Sequence, residues 1–267
     1  MLEILKYSFM QNAFLAGLLI AIICSILGVF LVLRRMSLIG DGLAHISFGG
    51  LAAGMFFGFY PLVASLIFTV LSALGIQKLR KMKVYGDAAI AIFFSFGLAL
   101  GVVVISLSSG FTADLFSYLF GSILSVSQTD LIFIAALCII TIIAIIVFYK
   151  ELFYITFDEE SAKASGIPVE KVDSILILLT AIAVVVSMRI VGILLVSSFI
   201  VIPASIALLF CKSFRQAMVY SAMLSILSVI IGLSSAYYFD LAAGGAIVLT
   251  LVVFFALSMA YKKIIKN

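Results

Sequence analysis

The sequence predicts an all-α polytopic membrane protein of about nine transmembrane helices. Three observations carry this expectation. Apolar residues make up 66% of the 267 positions and charged residues only 10%, with a mean hydropathy of +1.40. Apolar runs of bilayer-crossing length recur along the whole chain. Finally, the basic residues gather in alternate connections between those runs.

The runs cover 10–33, 40–58, 61–77, 88–108, 129–149, 172–189, 191–211, 216–238 and 243–261. The first follows Glu3 and Lys6, is too long for a signal-peptide core and lacks a small-residue cleavage site, so it reads as a retained span. The longest polar interval, Lys150 to Asp173, is too short for a soluble domain, so residues 1–267 read as one membrane domain. With the N-terminus outside, nine crossings place 14 of the 16 basic residues on the inner side: Arg34, Arg35, Lys78, Arg80, Lys81, Lys83, Lys150, Lys163, Lys171, Lys212, Arg215, Lys262, Lys263 and Lys266. Positive-inside asymmetry therefore selects N-out, C-in. A re-entrant segment around Arg189–Gly192, in place of a pair of full crossings, would make the count eight. Topology accounts for the net charge of +4, so no nucleic-acid partner is expected. Cys24, Cys138 and Cys211 lie in apolar runs without ligand-like spacing and read as small buried hydrophobes.

The second run carries the chemistry. His45 is the only histidine, and it stands four residues after Asp41 in Gly40-Asp41-Gly42-Leu43-Ala44-His45. On a helix the two side chains share a face. A carboxylate and an imidazole suit a divalent transition metal, and ionisable groups at membrane depth are functional candidates. The competing reading makes Asp41 a helix cap to which His45 bonds. Gly42, Gly50, Gly54 and Gly58 recur at multiples of four, with Ile46 in the gap, a stripe along which another helix can approach closely. Asp41, His45 and Gly49 form the adjacent stripe, so the polar pair should face a helix interface or cavity.

Three further intervals stand out. In 109–128, Asp114 can cap a short interfacial helix that Gly121 ends. In the loop beginning at Lys150, Asp158 reads as an N-cap, Glu159 and Glu160 occupy the first turn, Gly166 ends the turn and Pro168 follows. The resulting helix, about 158–166, is too short to be stable alone. Ala162, Ser165 and Gly166 give it a small face that a partner could approach. In Tyr237–Ala246, Asp240 reads equally as the N-cap of the last helix and as a cation-attracting carboxylate. Pro203, inside the seventh run, should kink its helix and free a carbonyl near Phe199.

At these residues the chain resembles the membrane permeases of the zinc/manganese/iron ABC importers, which share the type II importer fold. Arg35-Met36-Ser37-Leu38-Ile39-Gly40-Asp41-Gly42-Leu43-Ala44-His45 is similar to the family's R-x-M-S-L-x-G-D-A-[IL]-S-H segment, and Leu119–Leu124 to L-F-G-N-I-L. Phe157–Gly166 resembles F-D-x-x-x-A-x-A-x-G. Val191–Leu195, Ile202-Pro203-Ala204 and Asp240–Thr250 resemble its later elements. The matches run in order along nearly the whole chain. Gly42 and Ala44 depart from the usual Ala and Ser but leave Asp41 and His45 intact. Ser117 stands where some members carry histidine, so no outer-loop ligand is expected.

The resemblance implies a cell-membrane importer of Zn²⁺, Mn²⁺ or Fe²⁺ as cargo, with no permanent cofactor. Two copies would form the path. Cytoplasmic ABC ATPase subunits would dock on the 158–166 coupling helix, through Phe157, Asp158, Ala162 and Gly166. An extracytoplasmic metal-binding protein would deliver the ion. Asp41 and His45 would be its ligands, with Asp240 a further candidate and Pro203 a kink in the path. The chain lacks G-x-x-x-x-G-K-[ST], so ATP hydrolysis would belong to a separate chain rather than to this one. The rival readings are a proton- or sodium-coupled metal carrier and a permease for metal chelates.

Overall fold

The computed structural model describes residues 6–108, 113–122 and 126–266. Its twelve helices are α1 (Ser8–Leu33), α2 (Ile39–Phe56), α3 (Pro61–Lys81), α4 (Gly86–Leu107), α5 (Ala113–Phe120), α6 (Gln128–Val147), α7 (Tyr149–Phe157), α8 (Glu159–Ala164), α9 (Val169–Ser187), α10 (Val196–Phe210), α11 (Phe214–Phe239) and α12 (Ala243–Lys266). Among the described residues there is no strand.

Among the described residues six helices, α1, α3, α4, α6, α11 and α12, are long and apolar enough to cross a membrane. The other three expected runs are also helical, but each carries a feature that weakens its hydropathy or length. Asp41 and His45 interrupt α2, while Glu170, Lys171 and Asp173 open α9. At 15 residues, α10 spans about 22 Å, short of a full hydrocarbon thickness. The run expected over 191–211 is therefore helical only from Val196. Residues 188–195 form an irregular connection whose Ile190, Val191 and Ile193 are buried. Non-helical backbone survives at membrane depth only when protein surrounds it. Here the Ile193 and Leu194 amides donate to the Tyr118 and Leu119 carbonyls at 3.0 and 3.3 Å, and the Ser122 amide donates to the Arg189 carbonyl at 3.2 Å.

Helix α1 is the axis of the bundle, packing against α6, α9, α10 and α11. Its small residues set the spacing. Val229 of α11 lies 2.8 Å from where a Cβ on Gly17 would be, and the Ile200 carbonyl of α10 occupies the corresponding space at Gly28. Ile200 lies three residues before Pro203. Helix α10 continues through the proline, and the Ile200 carbonyl, within the turn that Pro203 leaves without a backbone donor, packs against Gly28, one of the two glycines of α1.

Helix α2 is wedged between α3 and α4. The glycine stripe expected to serve one neighbour serves two. Gly50 and Gly54 meet α3 through Phe68 and Ala64, and Gly42 meets Ile90 of α4. Gly49, on the adjacent stripe, faces the Gly97 carbonyl, while a Cβ on Gly97 would lie 2.5 Å from the Ile46 Cα. These contacts bring the α2 and α4 backbones together beside His45.

Gly121, Gly192 and Gly244 meet at the end where α5, the 188–195 connection and α12 converge. Gly121 lies against the Ile190 carbonyl, Gly192 against Leu119 and Phe120, and Gly244 against the Val191 carbonyl. Three of the family-like motifs, far apart in sequence, thus form one backbone-to-backbone junction. The Leu115 and Tyr118 side chains of α5 are buried in it, so α5 is more firmly packed than a free interfacial helix. The Asp114 side chain lies outside the described residues.

Candidate metal site and docking helix

Between Ile39 and Gly54 every residue of α2 is buried except Asp41 and His45. The helix presents one open stripe, and its two most polar side chains occupy it. As i, i+4 neighbours their Cβ atoms lie about 5–6 Å apart. Helix α2 has no side-chain cap, and its N-cap is Leu38. Among the described residues neither Asp41 nor His45 has a hydrogen-bond or ion-pair partner, so the reading of Asp41 as a cap holding His45 has no contact behind it. The His45 ring packs against Phe94 of α4 at a centroid distance of 4.2 Å, which restrains the imidazole while its nitrogens stay free. Two oxygen atoms and one imidazole nitrogen on an open stripe can ligate a passing divalent ion, but they cannot complete a coordination sphere. No group of three or more His, Cys, Asp or Glu occurs among the described residues.

Asp240 is elsewhere. It ends α11 with φ +52°, ψ +45°, and α12 begins only at Ala243, so it caps the eleventh helix rather than starting the last one. Aspartate tolerates this left-handed conformation better than most residues. It lines a cavity of about 350 Å³ with Phe9, Ser122, Tyr237 and Leu241. Phe9 belongs to the first turns of α1, whereas Asp41 opens the helix that follows the other end of α1. Helix α1 is 26 residues long, about 39 Å at 1.5 Å per residue. Asp240 is not brought to the Asp41–His45 stripe.

The Lys150–Asp173 interval folds as expected into a short helix, α8, preceded by a second one, α7. Asp158 caps α8, accepting from the Ser161 amide at 2.9 Å and from its hydroxyl at 2.6 Å. Those bonds hold the Asp158 carboxyl below the usual carboxylate range. The Lys163 ammonium, 2.8 Å away, does the same for Glu159, and Glu159 in turn raises Lys163. Gly166 adopts φ +83°. The Gly166 and Ile167 amides donate to the Lys163 and Ala162 carbonyls, both at 3.0 Å, a Schellman end that favours glycine. The small face divides: Ala162 is buried in this chain's own core, leaving Ser165 and Gly166 on the open side. Phe157 anchors the element from the other end, its ring 4.8 Å from Phe153 and 5.7 Å from Phe214 of α11. Phe214 also packs on Phe30 of α1 at 4.9 Å.

Two ion-pair clusters were not legible in the sequence. Near α8, Asp173 of α9 pairs with Arg34, which closes α1, and with Arg80 of α3 at 2.9 Å. Arg34 also reaches Glu159 at 3.4 Å. Toward the glycine junction, Arg189 pairs with the fully buried Asp130 at 2.9 Å and lies 4.3 Å over the Tyr118 ring. Asp130 also accepts from the Tyr60 and Ser127 hydroxyls and closes a capping box on α6. The only available signal was an isolated charge beside an apolar run. The partners stand far apart in the chain, so only the packed bundle pairs them.

A bundle of apolar helices with one open polar stripe defines a multi-pass membrane transport protein. The chain belongs to the ABC 3 transport family, whose pattern matches residues 6–262. It is 34% identical over 260 residues to the manganese transport system membrane protein MntC of Halalkalibacterium halodurans, covering 97% of this chain and 89% of that one. It is also 34% identical over 248 residues to the high-affinity zinc uptake system membrane protein ZnuB of Haemophilus influenzae, covering 92% and 95%. Among solved structures it is similar to a chain of PsaBC from Streptococcus pneumoniae in complex with Fab, at 33% identity and a TM-score of 0.86, covering 96% of this chain and 92% of that one.

Proposed function

We propose that this chain is the membrane permease of an ATP-driven importer of divalent transition-metal ions, with Asp41 and His45 as a transient ligand pair. The observation that carries the reading is the α2 stripe, where the only open positions between Ile39 and Gly54 are a carboxylate and an imidazole without protein partners. A bound cation offsets the cost of an ionisable group at membrane depth, about 2.5–3.5 kcal/mol for aspartate at a helix centre on insertion scales. A site with few ligands also releases its ion readily, as conduction requires. In this reading a second copy of the chain completes the path, and an extracytoplasmic binding protein delivers Mn²⁺ or Zn²⁺, the ions named for its relatives. The N-terminus is outside and the C-terminus inside. Cytoplasmic ATPase subunits dock on α8, whose link to α1, α3 and α9 runs through Glu159, Arg34, Asp173 and Arg80. Asp240, in its own cavity, is an entrance group that attracts cations rather than a member of the Asp41–His45 site.

The test is ⁵⁴Mn²⁺ and ⁶⁵Zn²⁺ uptake into proteoliposomes holding the permease with its ATPase and binding protein. His45→Ala and Asp41→Asn should each lower uptake by about tenfold or more, tenfold being about 1.4 kcal/mol, with normal membrane insertion. Undiminished uptake by both variants would contradict the ligand role. Uptake by the permease alone, driven by a proton gradient, would contradict the ATP-driven reading.

A further inference from the structure

Helices α10 to α12 carry no acidic residue except Asp240, at the far end of α11. The end where α10 stops, α11 starts and α12 finishes nevertheless carries Lys212, Arg215, Lys262 and Lys263. Among the described residues none of the four has an ion-pair or hydrogen-bond partner, in contrast to Arg34, Arg80, Lys81, Lys163 and Arg189. Two open grooves flank the tip of α10 there. One, of about 730 Å³, runs from Arg215 and Cys211 down over Val219, Tyr220 and Met223. The other, of about 490 Å³, runs from Lys262 and Lys263 over Met259 and Leu209. Phe210 and Tyr261 stand between them with ring centroids 6.2 Å apart. Val219, Met223 and Met259 are exposed, on helices that run through the bilayer.

We propose that these grooves bind anionic phospholipid, with the phosphate on Arg215 or on Lys262 and Lys263 and an acyl chain along the apolar groove below. Charge complementarity selects the occupant. Unpaired cations at the ends of membrane helices attract acidic headgroups, and the aromatic pair between the grooves has the amphipathic character of an interfacial anchor. A zwitterionic lipid carries its own cation beside the phosphate and offers these groups far less. A soluble anion would have no use for the apolar floors.

The test is native mass spectrometry of the permease purified in neutral detergent, delipidated and titrated with equal phosphatidylglycerol and phosphatidylcholine. The wild type should retain phosphatidylglycerol in at least about tenfold preference, about 1.4 kcal/mol. The triple variant Arg215→Gln, Lys262→Gln, Lys263→Gln should lose that preference. The charge-keeping triple variant Arg215→Lys, Lys262→Arg, Lys263→Arg should keep it, which separates loss of charge from loss of folding. Lys150→Gln, elsewhere on the surface, should also keep it. Equal retention of the two lipids, displacement by millimolar inorganic phosphate, or an unchanged preference in the glutamine variant would overturn the proposal. Loss of a co-purified ATPase in the glutamine variant, with lipid retention intact, would assign this face to a protein partner instead.

Discussion

In the proposed site, His45 packs against Phe94 at a centroid distance of 4.2 Å, which leaves the imidazole one packed side, so the orientation of its ring depends on how closely α4 approaches α2. Gly97 controls that approach, since any Cβ there meets the α2 backbone at Ile46 and the His45 carbonyl. Gly97→Leu should therefore push α4 away and lower metal uptake although it adds or removes no ligand. Uptake per inserted molecule, measured beside Gly245→Ala, whose Cβ meets nothing within 4 Å, checks this. Equal uptake by the two variants would contradict the packing argument. Asp41 and His45 were legible in the sequence because ionisable groups are rare in an apolar run and four residues apart means one face. That this face would be the only open one on α2 was not legible. It follows from Gly49 meeting α4 and Gly50 and Gly54 meeting α3, a division that a single repeating stripe does not reveal.

At the scale of elements, α8 is a six-residue helix held by three kinds of contact: the Asp158 cap, the Glu159–Lys163 pair and the Gly166 turn. The Asp158 and Glu159 carboxyls sit below their ordinary values in the folded chain. A depressed carboxyl contributes stability that is fully present above the unfolded value, about 3.9 for Asp and 4.3 for Glu, and that disappears as pH falls through the folded value. The amides of Ser161 to Ser165 should keep constant protection from pH 7 to about 5 and lose it below about 4. Hydrogen exchange corrected for intrinsic rates measures this, and loss of protection between pH 7 and 6 would contradict it. Gly166→Leu places a branched side chain at φ +83°, where open space offers no clash but the backbone is strained. It should fray the end of α8 and weaken ATPase co-purification while leaving metal binding unchanged. Caps and stop signals made α8 legible. The inward turn of Ala162 was not, because six residues are too few to define a buried face without knowing what lies beneath.

For the whole molecule, the nine apolar runs were readable from hydropathy, and each corresponds to a helix. The exception is informative. The seventh run begins at Val191, five residues before α10, because Val191 and Ile193 are apolar for a reason other than helix formation: they are buried in the irregular backbone packed against Tyr118 and Gly121. Hydropathy reports burial, not which backbone conformation is buried. The same end is tied by Arg189 and Asp130, whose exposures of 14% and 0% leave little water to replace a lost partner. Asp130→Asn should destabilise the protein by about 3–5 kcal/mol, the usual consequence of stranding a buried charge. Asp130→Asn with Arg189→Met should recover much of that loss. Thermal unfolding in detergent reads both, and a double variant no better than the single one would contradict the charge argument.

In the proposed function an ion in transit pauses on the open stripe of α2. Anomalous diffraction from crystals of the assembled transporter soaked in Mn²⁺ would locate that ion. A peak should appear within ligand distance, roughly 2.0–2.2 Å for nitrogen and oxygen donors by analogy with zinc, of both the Asp41 carboxylate and a His45 ring nitrogen, and none in His45→Ala. Bound metal elsewhere along the path, with that stripe empty, would contradict it.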